Sequence, residues 1–194
     1  MEDKDPKGSE SPEAKAARRR VNLEKASILL MDTSWGVELL SRIFQGFGAR
    51  RLYRCRTPDE AASILTKMPV DLIVTEAMIE EHNIYEFVRS IRQRTDIEPN
   101  RFVPVIVLSA HTPTEQVAEA RDCGANFLVA KPLSPRVVMD RVLWVANGKR
   151  KYLETDTYAG PDRRFRDEPP PAGVAGRRKG DPKFHVDEVQ EQSA

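Results

Sequence analysis

Hydrophobic and polar positions change their rhythm along the chain, and the changes mark three regions. Residues 1–24 are rich in Glu, Asp, Lys, Arg, Pro and Ser with no periodic apolar pattern, which predicts a disordered arm. From Ala26 to about Gly148, short apolar runs alternate with amphipathic stretches. Ser27–Met31 (SILLM) is a continuous apolar run suited to a strand buried on both faces. Between Trp35 and Phe47, Val37, Leu39, Leu40, Ile43 and Phe44 recur at helical spacing. Arg51–Cys55 is more polar and predicts a strand near an edge. Thr57-Pro58-Asp59-Glu60 predicts a helix start: Thr57 as cap, Pro58 at the first helical position, Glu60 closing a capping box. Strands are predicted at Asp71–Thr75, Val103–Ser109 and Phe127–Ala130, and a helix at Tyr85–Arg94. Thr112 with Glu115 predicts a capped helix running to Cys123 and ended by Gly124, and Ser134-Pro135 opens a last helix to about Ala146.

Five strand–helix units in succession predict an α/β fold: a doubly wound parallel sheet with right-handed crossovers and helices on both faces. For five strands the flavodoxin-like (βα)5 order 2-1-3-4-5 follows. Functional groups then collect at the carboxyl ends of strands one, three, four and five, which places Asp32, Glu76, Ser109 and Lys131 together. The domain is predicted to span residues 25–148. Residues 149–194 turn Pro/Gly/Arg-rich around Pro169-Pro170-Pro171 and predict a tail with no conventional core.

Composition narrows the function classes. The 194 residues are 40% hydrophobic and 31% charged, which excludes collagen-like and wholly disordered chains. With 31 basic and 30 acidic residues, the net charge of +1 argues against a protein that coats nucleic acid through bulk charge. No apolar run reaches the roughly 18 residues needed to span a bilayer, so a cytoplasmic protein without membrane contact is expected. Cys55 and Cys123 make neither a disulfide framework nor a zinc quartet, and His82, His111 and His185 are too dispersed for a metal site. No nucleophile–base arrangement suggests an enzyme.

The runs ILLMD (Ile28–Asp32), DLIVTEAM (Asp71–Met78), PVIVLSA (Pro104–Ala110) and GANFLVAKP (Gly124–Pro132) together resemble the receiver domain of two-component response regulators, the CheY-like family. The resemblance covers about Lys25–Gly148. It implies an acidic pair after strand one that binds magnesium, an Asp after strand three that accepts phosphate, and a Ser/Thr and a Lys that contact the phosphoryl group. Here Asp32 is followed by Thr33 in place of a second acid, and Glu76 occupies the acceptor position. Magnesium favours charged oxygens in near-octahedral geometry, so at most a weak site remains at Asp32 and Glu76. A misplacement of about 1 Å costs on the order of a hundredfold in a reaction that depends on positioning, so phosphoryl transfer is expected to be nearly lost. Ser109 and Lys131 are retained, and Lys131 is positioned to pair with Glu76. Glu76 either imitates the phosphorylated state or is inert in a structural ion pair. The switch aromatic of many receivers is replaced by Leu128, with Phe127 one place early.

The tail carries a second pattern. Arg163-Arg164-Phe165-Arg166-Asp167 and Arg177-Arg178-Lys179-Gly180-Asp181 both read Arg-Arg-x-x-Asp, fourteen residues apart. Arginine pairs bidentately with the O6/N7 edge of guanine or with phosphate, and stacks on purine faces. Aspartate accepts from the N1–H and N2–H donors of the same guanine. Seven basic and four acidic residues lie between Asp162 and Lys183, and the interleaved acids disfavour a nucleic-acid backbone.

A receiver followed by such a segment resembles the Cle group of CheY-like proteins. That resemblance implies a tail that binds cyclic di-GMP, as an intercalated dimer, and a receiver that docks on the flagellar motor switch protein. The residues carried over are Gly160, Pro161, Asp162, Arg163, Arg164, Asp167, Arg177, Arg178 and Asp181, with Tyr158, Phe165 and Arg166 as weaker candidates. The expected partner surface is the face of helix four, strand five and helix five. The alternatives are a signalling protein that takes phosphate at Glu76 or elsewhere, and an adaptor that binds no nucleotide.

Overall fold

The computed structural model describes residues 23–98, 100–110, 114–148, 151–162 and 183–185. The chain runs β1 (Ser27–Met31), α1 (Ser34–Gly46), β2 (Arg51–Cys55), α2 (Pro58–Lys67), β3 (Leu72–Glu76), α3 (Ile84–Gln93), β4 (Val105–Ser109), α4 (Thr114–Asp122), β5 (Phe127–Ala130) and α5 (Pro135–Asn147). The five strands are parallel, in the order β2-β1-β3-β4-β5. This is the doubly wound flavodoxin-like sheet that the alternating pattern predicts.

Strand alternation sends successive side chains to opposite faces, and that divides the core in two. Leu29 and Met31 join Ile73, Val105 and Val107 against Ala61 and Leu65 of α2, Val88 and Ile91 of α3 and Ala120 of α4. Ile28 and Leu30 join Val74, Ile106 and Leu108 against Leu40 and Phe44 of α1 and Val138 and Val142 of α5. The edge strand β2 is the most exposed of the five, as its polar composition predicts.

Several helix starts follow the sequence closely. The Thr57 hydroxyl accepts from the Glu60 N–H at 3.2 Å. Glu60 in turn accepts from the N–H of Arg56, one residue before the cap. Ser134 caps α5 through the Val137 N–H, with Pro135 behind it. Asn83 caps α3 by accepting from the Tyr85 N–H at 2.9 Å. The predicted capping role of Thr112 lies outside the described residues. Elements the pattern did not predict are a short antiparallel ladder, Met78–Ile79 with His82–Asn83, and a 3-10 turn at Asn100–Phe102. The buried Asn100 side chain in that turn is fully used: it donates to the Leu65 and Met68 carbonyls and accepts from the Val70 N–H.

Two boundary expectations are corrected. Leu23, assigned to the disordered arm, is 5% exposed and packs in the α1–α5 core. The tail assigned no core contains β6 (Tyr152–Thr155) and β7 (Tyr158–Pro161), an antiparallel hairpin extended on its other side by β8 (Lys183–His185). Tyr152 and Leu153 are both buried. A strand needs few apolar residues when only one face is covered, so two sufficed here where the composition hid them. Among the described residues, no helix is long and apolar enough to cross a membrane. The two thiols lie in the core, and burial pushes Cys55 up to about 12 and Cys123 up to about 11.

Candidate functional site

The carboxyl ends of β1, β3 and β5 meet as the topology requires, and they bring three charged groups together. Asp32 follows β1, Glu76 ends β3, and Lys131 follows β5. Both carboxylates are nearly removed from solvent; Lys131 is about a third exposed, its side chain 31% accessible. The Lys131 Nζ pairs directly with Glu76 Oε2 and lies 3.5 Å from Asp32 Oδ2, so one ammonium bridges both acids. Burial alone would push the Lys131 ammonium down. The hydrogen bond to Glu76 and the charges of Asp32 and Glu76 outweigh burial and hold it above the ordinary lysine value.

Backbone donors complete the arrangement. Glu76 Oε1 accepts from the Ala77 N–H at 3.2 Å. Asp32 Oδ1 accepts from the Thr33 N–H at 2.6 Å, and the Thr33 hydroxyl caps α1 by accepting from the Gly36 N–H at 3.3 Å. Gly36 is required by its neighbour rather than by its backbone: a Cβ there would stand 2.2 Å from the Asp32 carboxyl carbon. The buried Ser109 sits at the end of β4, and its carbonyl accepts from the Lys131 N–H at 2.8 Å. Asp32, Thr33, Glu76, Ser109 and Lys131 are therefore grouped as the strand-end argument predicts. Gly36 went unread because a lone glycine inside an amphipathic helix has no sequence signature of what it faces.

This donor set does not fit magnesium. The two carboxylates already share one ammonium, and the oxygen that replaces the second acid is the helix cap Thr33. A hard divalent cation would have to compete with Lys131 and with the Thr33 and Ala77 N–H groups for the oxygens of both acids. Among the described residues no cluster of three His, Cys, Asp or Glu could hold a metal ion.

At β5, Leu128 packs against the α2–α3–α4 core, while Phe127 turns to the other face. The Phe127 ring meets Trp144 edge-on at 4.6 Å, and Arg141 lies over it at 5.4 Å. Val117, Val137 and Trp144 leave apolar surface exposed on α4 and α5.

The tail candidates divide. Arg163, Arg164, Phe165, Arg166, Asp167, Arg177, Arg178 and Asp181 lie outside the described residues. Tyr158, Gly160, Pro161 and Asp162 belong to the hairpin or its edge, where they serve its own packing. Gly160 and Pro161 are buried, the Tyr158 hydroxyl donates to the Pro161 carbonyl at 2.7 Å, and the Asp162 N–H donates to the Lys151 carbonyl. The hairpin sits at the amino-terminal ends of β4 and β5, opposite the Asp32–Glu76–Lys131 cluster. There Tyr152 donates to Asn126 Oδ1 at 3.2 Å, and the same oxygen accepts from the Val105 N–H at 2.9 Å.

Comparison with known proteins agrees with this geometry. The model of the response regulator receiver domain matches residues 28–143, and the chain belongs to that family, the domain class of two-component signalling. It is 27% identical over 126 residues to the response regulator SaeR of Staphylococcus aureus, a match covering 64% of this chain and 52% of SaeR. It is 29% identical over 111 residues to probable histidine kinase 2 of Oryza sativa, covering 54% of this chain and 10% of the kinase. The matches thus span about half of one relative and a tenth of the other. Among solved structures, chemotaxis response regulator CheY4 of Vibrio cholerae superposes with a TM-score of 0.55 at 22% identity. That likeness covers 62% of this chain and 98% of CheY4, and it supports the fold.

Proposed function

We propose that this receiver is a non-enzymatic effector whose input is cyclic di-GMP bound by the arginine-rich tail, and whose output is docking on a protein partner. The observation that carries the reading is the duplicated Arg-Arg-x-x-Asp pattern at Arg163–Asp167 and Arg177–Asp181. Each copy supplies guanidinium forks for a guanine edge or phosphate and a carboxylate for guanine N–H donors. Two copies match the two guanines of one cyclic dinucleotide, or an intercalated pair of ligands. The cluster at Asp32, Glu76 and Lys131 supports the same reading from the other side, because a bridged, metal-poor acid pair is a weak phosphoacceptor. The docking surface is the α4–β5–α5 face carrying Val117, Val137 and Trp144, and the flagellar motor switch protein is the proposed partner.

Calorimetric titration of cyclic di-GMP into the full chain tests this. Micromolar or tighter binding is expected, falling at least a hundredfold in the Arg163→Ala/Arg177→Ala variant. That loss corresponds to about 2.7 kcal/mol, the scale of two charge-assisted contacts. No heat at micromolar concentrations, or equal binding by the variant, contradicts the reading. In that event an adaptor that binds no nucleotide takes its place, a reading favoured by the self-contained ion-pair cluster.

A further inference from the structure

The end of the sheet opposite the acid cluster holds a buried cation that, among the described residues, pairs with carbonyls and an aromatic ring and with no carboxylate. Arg92, near the end of α3, is 1% exposed. Its Nε and Nη2 donate to the Gly124 carbonyl at 3.3 and 3.2 Å, and its Nη1 donates to the Arg101 carbonyl at 2.6 Å. Arg101 returns the contact, donating from Nε to the Arg92 carbonyl at 2.6 Å. All of these partners lie in the receiver domain, and the hairpin adds further contacts to both guanidinium groups.

What covers them comes from the hairpin. The Tyr152 ring lies 5.5 Å from the Arg92 guanidinium carbon and packs edge-on against Phe102, and Glu154 pairs with Arg101. Gly160 approaches Gly124 so closely that a Cβ on it would stand 2.7 Å from the Gly124 Cα. The hairpin covers the two guanidinium groups with an aromatic ring and one carboxylate. Sealing Arg92 from water opposes what Tyr152 and Leu153 gain by burial, and burial pushes the Arg92 guanidinium down from its ordinary value. Besides these two buried side chains, the hairpin meets the receiver through polar and backbone groups, and a contact of that size is able to open locally while the sheet stays folded.

We infer that residues 152–161 form a latch on the Arg92–Arg101 seat, and that its seating is coupled to ligand binding by the arginine segment that begins at Arg163. The coupling rests on the cyclic di-GMP reading above; the latch does not. Asp162, tied to Lys151, is the only residue between the latch and the first Arg-Arg pair, so a ligand held by that pair acts one residue away from β7. Coupling of this kind is reciprocal: whatever the ligand does to the latch, releasing the latch does to ligand affinity.

Amide hydrogen exchange on the full chain, wild type and Tyr152→Ala, with calorimetry on both, tests the inference. Tyr152→Ala is expected to speed exchange at 152–161 and at Gly124–Asn126 at least tenfold while β1 and β3 stay protected. Loss of protection in β1 and β3 in step with the hairpin, or no change at the hairpin, overturns the latch. Saturating cyclic di-GMP is expected to alter hairpin exchange in the wild type, and Tyr152→Ala to shift its affinity about fivefold or more. Equal affinity with unchanged hairpin exchange overturns the coupling while leaving ligand binding intact. Absence of ligand heat with wild type removes the functional reading and the coupling with it, and the exchange data then decide the latch alone. Glu154→Gln, which keeps the ring and removes the charge facing Arg101, is expected to show the same changes in smaller measure.

Discussion

Lys131→Met is expected to lower the stability of the fold by about 2–3 kcal/mol near neutral pH. The ammonium is the shared counter-ion of Asp32 and Glu76, and both acids are buried. Removing it takes the shared ammonium from two buried carboxylates, whose backbone donors are the Thr33 N–H on one and the Ala77 N–H on the other. The figure sits at or below the lower end for a broken buried pair because Lys131 itself is partly solvated. The sign with pH follows from linkage in the wild type. Its Lys131 value is raised in the fold, so the contribution is fully present below the ordinary lysine pKa and is lost only as pH rises through the folded value. Urea denaturation of both proteins across pH 4.5 to about 8 checks the prediction, that window running from the carboxylate range to above neutrality. Equal midpoints throughout would mean that the bridging pair is absent in solution.

Gly124→Ala is expected to cost more than a backbone substitution elsewhere and to unseat the hairpin. Gly124 has φ of +92°, and a Cβ there would lie 2.5 Å from the Ala159 carbonyl oxygen and 3.2 Å from Arg92 Cγ. The left-handed backbone alone costs roughly 1–2 kcal/mol for an alanine. The collision with Ala159 is with backbone, so relief requires β7 to move away from the turn. Gly48 supplies the control: its φ is +88°, and a Cβ would meet nothing within 4 Å. Gly48→Ala should show the backbone cost only, and Gly124→Ala that cost plus faster exchange at 152–161. Indistinguishable variants would place the hairpin away from Gly124.

What the sequence disclosed, it disclosed through strong local signals. The continuous apolar runs at Ser27–Met31 and Val105–Ser109 specify strands covered on both faces, and Thr57-Pro58 and Ser134-Pro135 specify helix starts by capping chemistry. Once the order of the strands is known, Asp32, Glu76, Ser109 and Lys131 must converge, because the carboxyl ends of a parallel sheet lie on one side. The Lys131 bridge to both acids, rather than to Glu76 alone, needed coordinates. The hairpin seat was invisible for a different reason. It combines Arg92, Arg101, Gly124 and Tyr152, four positions that no local period relates, and a buried arginine reads in sequence as a solvated one. Tyr158, Gly160 and Pro161, carried over as ligand-binding candidates, also have a structural place that the motif did not disclose: the Tyr158 hydroxyl donates to the Pro161 carbonyl, and Gly160 packs against Gly124.

The two ends of the sheet thus carry different chemistry. At the carboxyl ends, one ammonium pairs with both acids. At the amino-terminal ends of β4 and β5, Arg92 and Arg101 meet the hairpin at the root of the tail. Intact-mass measurement after incubation of the full chain with acetyl phosphate and magnesium tests that division most directly. The account predicts an unchanged mass; appearance of a species heavier by one phosphoryl group, lost on Glu76→Gln, would contradict it.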